Sequence, residues 1–385
     1  MKADAYGHGG VPVARALAAN GADAFCVATL DEAIALRDAG ILQPIVVLYP
    51  IPPSLAPTAR RGEIAVTAGD AALLEALLAA LAPPADEPAD DAPPLGLELE
   101  VETGLGRGGL SGAGLLEAAR AIEASPGARL AGLWTHLQAP EDAQRTAAQL
   151  EGFERAADEL RSAGMDLPAR HVAATGGLLL DGVAALDGVR PGLAIYGLVP
   201  DELLPGSGSA DGGMPATRPG AAGLRPILSL FARPVRVANL PVGMGISYGP
   251  TFVTSRPSRI ATLPLGYGDG WPRSLSNRAG ALVRGTRVPL VGNVAMDAVM
   301  ADVTDVPGEP VTVLDEFVLI GSQGPARITA AEVAAARGTN SWEVVTSLAA
   351  RLPRVYHAAS VPREIRTLVN DEVRDEIGSR RSTRP

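Results

Sequence analysis

The sequence predicts an α/β protein in which a nearly complete (β/α)8 barrel of the TIM type is followed by a mainly β domain. Short apolar strands alternate with periodic helices up to about residue 198, a pattern typical of parallel βαβ units. Short β-rich runs separated by Gly, Pro and Asn begin at about residue 228. Because 385 residues exceed one ordinary core, we predict a barrel over residues 1–224, a β-domain over 225–369 and a disordered tail over 370–385. A doubly wound sheet is the alternative, but no G-x-G-x-x-G turn opens a helix.

The elements follow one another along the chain in a regular order. Barrel strands are predicted at 24–30, 45–50, 64–70, 95–106, 130–137, 169–175 and 189–197. Barrel helices are predicted at 11–21, 31–40, 73–82, 115–127 and 143–164. Strands of the second domain are predicted at 228–240, 259–266, 287–291 and 311–321. Thr329 and Glu332, at capping-box spacing, indicate one helix there. Residues 82–94, rich in Pro and acidic residues, are predicted to be a surface loop, and residues 201–226, rich in Gly, Pro, Ser and Asp, a flexible linker or a surface insertion.

Composition excludes several classes of partner. The formal charge of -10 and the pI near 5.0 leave no basic surplus for a nucleic acid or an anionic membrane. No apolar run is long enough to span a bilayer, and no basic-then-apolar export signal is present. Cys26 has no disulfide partner in the chain, which fits a reducing compartment. We therefore predict a cytoplasmic protein without a nucleic-acid or membrane partner, and no metal site is predicted.

Polar residues that directly follow predicted barrel strands are candidates for an active site, because barrel active sites lie at the carboxyl ends of the strands. This filter selects Lys2, Tyr6, Arg107, His136, Thr175, Arg190, Gly192 and Tyr196. Lys2 lies in the opening stretch MKADAYGHGG, where an aromatic hydroxyl and a Gly-rich turn follow the lysine. Such a stretch suits a lysine that a carbonyl or phosphate ligand can approach. Taken singly, each residue also has a structural explanation, such as a frayed terminus for Lys2 or a core histidine for His136.

The opening stretch resembles the pyridoxal-phosphate lysine motif of alanine racemases, and further motifs follow in the family's order and spacing. They are VETGLGRGG (101–109), LWTHL (133–137), VRPGLAIYGL (189–198), GISYG (245–249), LGYGDG (265–270), VGNVAMD (291–297) and RLPRVY (351–356). The resemblance spans both predicted domains, from Lys2 to about Tyr356. It implies a homodimer with shared active sites that interconverts L- and D-alanine with pyridoxal 5'-phosphate and supplies D-alanine for peptidoglycan.

The resemblance implies two acid/base groups. Lys2 would form a Schiff base with the cofactor and, once released, serve the D-amino-acid direction, while Tyr248 would serve the L-direction. A phenol is a poor base at its reference pKa of about 10, so neighbouring groups must tune it. In the family a hydrogen-bonded chain does this, and its members here would be His136 and Arg190. Arg190 would also face the pyridine nitrogen of the cofactor, and because an arginine cannot accept a proton it favours racemisation over decarboxylation.

The family's phosphate site is only partly retained in this sequence. The resemblance implies that the cofactor phosphate is held by Tyr6, Thr175 and the backbone N–H groups near Gly192 and Leu193. The family's Asn-Ser pair is Ala174 and Thr175 here, so an amide is lost while a hydroxyl remains. A tyrosine that some members place before the RVPR-like segment is Ala350. We expect these changes to affect cofactor affinity more than the type of reaction.

The substrate site implied by the resemblance has one departure. Arg107 and the Met296 amide would receive the substrate carboxylate, and Tyr267 would select a small side chain. Tyr248, Tyr267 and Met296 would reach the active site of the other subunit. Family members often have a carbamylated lysine seven residues before the arginine, and Glu100 stands at that position here. We expect Glu100 to orient Arg107 directly through its own negative charge.

Three other readings remain open from the sequence. The protein could act on another small amino acid such as serine, carry pyridoxal phosphate without catalysis, or be a decarboxylase, which Arg190 disfavours. A carrier needs the phosphate site but no second base, so the β-domain and Tyr248 distinguish a racemase from a carrier. In the family a strand and a helix precede the lysine, whereas only Met1 precedes Lys2 here. We therefore expect the first barrel strand to be missing through truncation of the chain.

Overall fold

The structure is a computed structural model that describes residues 1–82, 92–181, 183, 185–204, 217 and 219–368. Two compact units make up the chain. The first contains Met1–Ala5 and Gly10–Arg225, and the second contains Tyr6–Gly9 and the chain from Pro226 onward. Tyr6–Gly9, which follow Lys2 closely in the sequence, therefore belong to the second unit, whereas the residues before and after them belong to the first.

The first unit is a nearly closed barrel of seven parallel strands with helices between them, and it confirms the predicted fold class. The strands are hydrogen-bonded in chain order and are β1 (Phe25–Val27), β2 (Ile45–Val47), β3 (Ile64–Ala68), β4 (Leu95–Glu100), β5 (Ala128–Trp134), β6 (Ala169–Ala174) and β7 (Gly188–Arg190). The helices of this unit are Gly10–Ala19, Leu30–Asp38, Ala56–Arg61, Ala71–Leu81, Gly112–Ala124, Ala143–Ser162 and Thr175–Leu179. Apolar residues of strands and helices form one buried core. Every residue of β4 is buried, as both faces of a parallel barrel strand are covered.

Side-chain caps fix where several barrel helices begin. The Thr29 side chain accepts a hydrogen bond from the Glu32 N–H, and the Glu32 carboxylate accepts one from the Thr29 N–H, which completes a capping box. Asp70 and Asp142 accept from backbone N–H groups in the first turns of the helices that follow them. These caps satisfy N–H groups that have no partner inside the helix. They set the turns that lead from strand to helix.

The second unit is mainly antiparallel β structure, as predicted. Its strands are β8 (Leu230–Ala232), β9 (Arg236–Leu240), β10 (Ser258–Leu263), β11 (Gly280–Val283), β12 (Thr286–Val291), β13 (Val299–Asp302), β14 (Phe317–Gln323), β15 (Ala326–Ile328), β16 (Arg354–Ala358) and β17 (Val361–Arg366). Eight of them form one sheet in the order β15-β14-β11-β12-β13-β10-β9, with β8 paired to β14, and β16 and β17 form a separate hairpin. The helices are Ala330–Arg337 and Ser341–Thr346. Thr329 caps the first of these by accepting from the Glu332 N–H, which is the predicted start.

Short 3-10 segments connect several of these elements. They are Pro53–Leu55, Leu193–Tyr196, Asp201–Leu203, Pro219–Gly223, Tyr267–Asp269 and Arg273–Leu275. The described helices include none that is both long and apolar enough to cross a membrane.

Several sequence predictions differ from the structure in detail. The helices Ala56–Arg61 and Ser341–Thr346 were not predicted, and the predicted strand 189–197 is a three-residue strand followed by a 3-10 segment. The predicted linker 201–226 is not wholly a spacer, because Leu203 packs in a buried cluster with Leu179 and Leu180. Most of the predicted surface loop, much of that linker and the predicted tail from residue 370 lie outside the described residues.

Candidate active site

Lys2 lies in a partly buried position in the first unit. Burial is the main cause that lowers the pKa of its amine, and the nearby Arg107 charge lowers it further, while the Glu32 carboxylate acts in the opposite direction. A lowered pKa increases the fraction of neutral amine, which is the nucleophilic form. The prediction that this lysine is more than a solvated terminal residue therefore has a physical basis.

The backbone after Lys2 forms a left-handed turn of non-glycine residues. Ala3, Asp4, Ala5 and Tyr6 have φ values of 54°, 53°, 56° and 53°. Left-handed backbone costs an L-residue about 1–2 kcal/mol, and such strain is often found at functional sites. Two hydrogen bonds hold the turn: Ala5 N–H donates to Met1 O at 2.7 Å, and Gly10 N–H donates to Asp4 Oδ1 at 2.6 Å. Residues 3–6 therefore form a left-handed turn and not right-handed helical or extended backbone.

Arg107 is paired with Glu100, as the sequence predicts. The Arg107 Nη2 donates to Glu100 Oε1 at 3.2 Å, and the Arg107 guanidinium lies 5.6 Å from the centre of the Tyr49 ring. Gly69 adjoins the Glu100 carboxylate, since a Cβ there would lie 3.2 Å from Glu100 Oε2. Burial raises the pKa of Glu100, and its hydrogen bond to Arg107 opposes that rise. Tyr49 was not predicted as a site residue. Nothing in the sequence indicates that its ring lies beside Arg107, which follows a later strand of the barrel.

Arg190 is held by main-chain and histidine acceptors of the barrel. Its Nη1 donates to the His171 carbonyl at 2.8 Å and to the His171 Nδ1, and its Nη2 donates to the carbonyls of Thr135 and Val172 at 2.7 and 3.1 Å. The guanidinium also lies 5.0 Å from the centre of the Trp134 ring. Four of its five N–H groups thus have acceptors within the barrel. The Nε–H has no acceptor among the described residues and remains available to a ligand.

The described residues show no hydrogen bond between the His136 ring and Arg190, the direct link that the resemblance implies. The four Nη N–H groups of Arg190 donate to His171 and to backbone carbonyls instead. Burial lowers the pKa of His136 to about 3, with further contributions from the positive charges of Arg190, Arg107 and Lys2. His136 is therefore a neutral imidazole within the same cluster of cations. Its backbone carbonyl accepts from the Gln149 side chain at 3.1 Å.

Thr175 organises the turn that follows β7. The hydroxyl oxygen of Thr175 accepts from the Gly192 N–H at 2.9 Å and from the Ala194 N–H at 3.2 Å. The Gly192 N–H, predicted to face a phosphate, is therefore engaged with Thr175. The Leu193 N–H has no acceptor among the described residues. Among the described residues of this turn, the Thr175 hydroxyl proton and the Leu193 N–H are the donors that remain without an acceptor.

In the second unit, Tyr248, Tyr267 and Met296 line one open cavity of about 810 Å³. Their side chains are exposed, and Tyr248 is 76% exposed. The Met296 N–H has no acceptor among the described residues, whereas its carbonyl accepts from the Gly268 N–H at 2.9 Å. An apolar and phenolic surface of this kind, open to solvent, is suited to contact with another molecule. The three residues that the resemblance assigns to a neighbouring subunit thus lie together.

Polar contacts hold the loops that carry these three residues. The Asn293 side-chain amide donates to the carbonyls of Tyr248 and Gly249 at 2.8 and 2.9 Å. The Asp269 carboxylate accepts from the Gly266 N–H at 2.8 Å and from Arg351 Nε at 2.6 Å. These bonds restrict the backbone beneath the exposed rings. The rings are therefore presented from ordered loops.

Residues Tyr6–Gly9 are held by the second unit. Arg354 Nε donates to the Gly7 carbonyl at 2.8 Å, and the Tyr356 hydroxyl donates to the His8 carbonyl at 3.0 Å. A Cβ on Gly7 would lie 2.3 Å from the Val345 carbonyl oxygen, so only glycine allows this approach. Burial raises the pKa of Tyr6, which keeps its hydroxyl protonated and able to donate.

Comparison with known proteins gives matches over both units. Two family profiles match, "Alanine racemase, N-terminal domain" over residues 1–200 and "Alanine racemase, C-terminal domain" over residues 227–356. An alanine racemase of Symbiobacterium thermophilum is 39% identical over 365 residues, which cover 92% of this chain and 89% of that protein. An alanine racemase of Halothermothrix orenii is 35% identical over 367 residues, covering 92% of this chain and 88% of that protein. The crystal structure of alanine racemase from Bacillus anthracis with bound L-Ala-P superposes with a TM-score of 0.83 at 31% identity, covering 96% of this chain and 90% of that chain.

Proposed function

The chain belongs to the alanine racemase family and is an enzyme of the isomerase class, and we propose that it interconverts L- and D-alanine with two acid/base groups, Lys2 and Tyr248. The observation that carries the proposal is the cluster in the first unit, where an amine of lowered pKa lies near Arg107. Such an amine releases its proton more readily than a solvent-exposed lysine does, and an arginine beside it can receive the carboxylate of an amino acid.

The residues of the first unit fit pyridoxal 5'-phosphate. When bound, this cofactor supplies the electron sink that makes the α-proton of an amino acid removable. Lys2 offers the amine that would hold it covalently, and Arg190 offers its remaining Nε–H to the ring nitrogen. The Thr175 hydroxyl and the Leu193 N–H would hold the phosphate.

Arg190 favours racemisation over other reactions of amino acids. A guanidinium stays protonated and can only donate, so it leaves the ring nitrogen without a proton. Arg190 would therefore make a bound pyridoxal ring a weaker electron sink than a carboxylate at the same position would. We infer that Arg190 limits charge accumulation at the substrate, which disfavours decarboxylation.

Arg107 and Met296 would bind the carboxylate of alanine. Arg107 provides the charge, and the Met296 N–H, which lacks an acceptor among the described residues, provides a neutral donor. Tyr267, on the same cavity as Met296, would restrict the side chain of the substrate to a small group. The D-alanine formed would serve peptidoglycan synthesis. The single Cys26, without a disulfide partner, is consistent with action in the cytoplasm.

Inversion of the α-carbon needs a proton to leave one face and another to arrive on the opposite face. Lys2 would remove the proton from D-alanine and return it in the reverse direction, and Tyr248 would do the same for L-alanine. The exposed position of Tyr248 supports a role toward a second copy of the chain. We propose a homodimer in which Tyr248, Tyr267 and Met296 complete the site of the partner.

The test is the Tyr248→Phe substitution, assayed in D2O. Loss of one acid/base group should lower kcat/KM by about 10²- to 10⁴-fold. The factor should be the same in both directions, because the two enantiomers have equal free energies. The α-hydrogen of D-alanine should still exchange with solvent through Lys2, whereas that of L-alanine should not, and the cofactor content should be unchanged.

Three outcomes would contradict the assignment. Equal exchange of both enantiomers in the Tyr248→Phe variant would remove Tyr248 from the base role. Loss of cofactor in that variant would place Tyr248 in cofactor binding instead. A wild-type protein that gains the cofactor on Lys2 after borohydride reduction but forms no D-alanine would be a carrier.

A further inference from the structure

Glu98 occupies an unusual position for a carboxylate, in the middle of barrel strand β4. It is 7% exposed, and its Oε2 lies 3.0 Å from the His171 Nε2. His171 is on β6, two strands away, because β5 lies between β4 and β6 in the sheet. Neither Glu98 nor His171 lies in one of the family motifs of this sequence.

A glycine in the intervening strand makes this contact possible. Gly132 of β5 is the register partner of Glu98, and a Cβ built on it would lie 2.8 Å from the Glu98 Cδ. The Glu98 side chain therefore occupies the space that any other residue at position 132 would fill. It crosses β5 there and reaches the imidazole of His171.

The hydrogen-bond donors determine the tautomer of His171. The guanidinium of Arg190 can only donate, so the His171 Nδ1 must accept from it and carries no proton. The ring proton is then on Nε2 and is donated to the Glu98 carboxylate. The imidazole also stacks on Trp134, with ring centres 6.2 Å apart and planes inclined by 8°. Carboxylate, imidazole and guanidinium form one directed chain.

We propose that Glu98 is a positioning residue that acts through His171 to fix the guanidinium of Arg190. The carboxylate selects the Nε2–H tautomer of His171, which makes Nδ1 a permanent acceptor for Arg190. With the opposite tautomer, two donors would face each other and Arg190 would lose one of its four contacts in the barrel. The importance of this chain for catalysis rests on the proposed function, in which the Arg190 Nε–H faces the cofactor ring.

The proposal accounts for the placement of a buried acid in a barrel strand. A carboxylate in this position is costly unless it receives a hydrogen bond, and the His171 N–H supplies one. A carboxylate behind an imidazole also makes the far ring nitrogen a stronger acceptor, as in metal sites where a carboxylate orients a histidine ligand. Glu98 thus acts on Arg190 without touching it.

The tautomer can be tested directly in cofactor-free protein. The chain has only four histidines, so long-range 1H–15N NMR of histidine-labelled protein is practicable, and His171→Leu assigns the signal of interest. We expect His171 to be the Nε2–H tautomer in the wild type and to lose that preference in Glu98→Leu. An Nδ1–H or doubly protonated His171 in the wild type would overturn the proposal, whatever the enzyme's activity.

The kinetic test uses Glu98→Leu and the milder Glu98→Gln, whose amide can accept or donate. We expect kcat to fall about 10- to 100-fold in Glu98→Leu and less in Glu98→Gln, with KM for alanine changed little because Arg107 is intact. The absorption band of the bound cofactor should shift in the same order. Gly132→Ala, which keeps Glu98 but displaces its carboxylate, should resemble Glu98→Gln. The matched control is Glu154→Gln, which removes an exposed carboxylate 3.0 Å from Arg170 and should have no effect.

A double-mutant cycle separates positioning from a general packing role. If Glu98 acts through His171, the variant carrying both Glu98→Leu and His171→Leu should have a kcat no lower than His171→Leu alone. Multiplicative losses would overturn the proposal, as would a wild-type kcat and absorption band in folded Glu98→Leu protein. A wild-type enzyme without racemase activity would refute the proposed function and leave the NMR result to decide the hydrogen-bond chain.

Discussion

At the scale of single residues, Glu100 places a negative charge beside Arg107, at the position where the resemblance implies a carbamylated lysine in other family members. A carboxylate at position 100 lies 3.2 Å from the Arg107 guanidinium. A carbamylated lysine would bring its negative charge on a longer arm, and the glutamate brings the same charge from the barrel strand itself. Gly69 leaves the space that the carboxylate occupies.

Glu100→Gln should weaken the binding of alanine without abolishing the reaction. The amide oxygen can still accept from Arg107, but the charge is lost, and a half-exposed ion pair contributes about 1 kcal/mol or less. We therefore expect KM for alanine to rise by about 3- to 5-fold, with a smaller change in kcat. Steady-state kinetics measures both values. Glu151→Gln, at an exposed ion pair with Arg155, is the control, and an unchanged KM in Glu100→Gln would exclude the orienting role.

The same scale shows which site residues the sequence could reveal. Lys2, Arg107 and Arg190 stand in motifs of fixed spacing, so their types and positions could be read along the chain. The partner of Arg190 could not be read in this way, since the resemblance implies His136 and the structure places His171 beside Arg190. Two features of the sequence could have indicated this contact: His171 in the apolar run ARHVAAT and Glu98 in LGLELE. Buried strands rarely hold unpaired charges, so these two residues could have been expected to pair.

At the scale of elements, the backbone conformation of residues 2–9 depends on tertiary contacts more than on the local preferences of the residues. Four consecutive non-glycine residues adopt left-handed backbone, which no propensity of Ala or Tyr favours. Arg354 and Tyr356, from the hairpin strand β16, hold the carbonyls of Gly7 and His8. Tertiary hydrogen bonds therefore stabilise a conformation that the sequence alone would not predict.

Gly7→Ala should destabilise the protein more than the same change at Gly243. Both glycines have positive φ, 75° and 82°, so both substitutions carry the conformational penalty of about 1–2 kcal/mol. Only Gly7 adds a clash, because its Cβ would lie 2.3 Å from the Val345 carbonyl oxygen, whereas no atom lies within 4 Å at Gly243. We expect an additional loss of about 1–3 kcal/mol in Gly7→Ala. Chemical unfolding of cofactor-free protein measures the difference, and equal losses would mean that the Gly7 approach does not constrain the fold.

At the scale of the whole molecule, the two proposed bases belong to different compact units. Lys2 lies in the first unit and Tyr248 in the second. Three exposed residues, Tyr248, Tyr267 and Met296, line one cavity. Their exposure supports the proposal that another subunit covers this surface. The proposed shared site would then require two copies of the chain.

Hybrid dimers test the shared site. Lys2→Ala and Tyr248→Phe subunits with different affinity tags are co-expressed, and the hybrid is isolated through both tags. If Tyr248 completes the partner's site, one of the two sites in the hybrid has both bases, so activity should be about half that of wild-type dimer, while each variant homodimer remains nearly inactive. An inactive hybrid would mean that both bases come from one chain, and a monomeric wild type would exclude the shared site altogether.

The sequence alone determined the class of fold and identified the main candidate residues. Alternating strands and helices produce a periodic pattern of apolar residues that can be recognised in the sequence. Motifs of fixed spacing can be recognised there as well, before the tertiary structure is known. Only the tertiary structure decided that Arg190 pairs with His171, that Glu98 reaches His171 across Gly132, and that residues 6–9 join the second unit. The physical reason is that hydrogen bonds of buried polar groups depend on which strands are neighbours in space, and residues 98, 132 and 171 meet only once the barrel has formed.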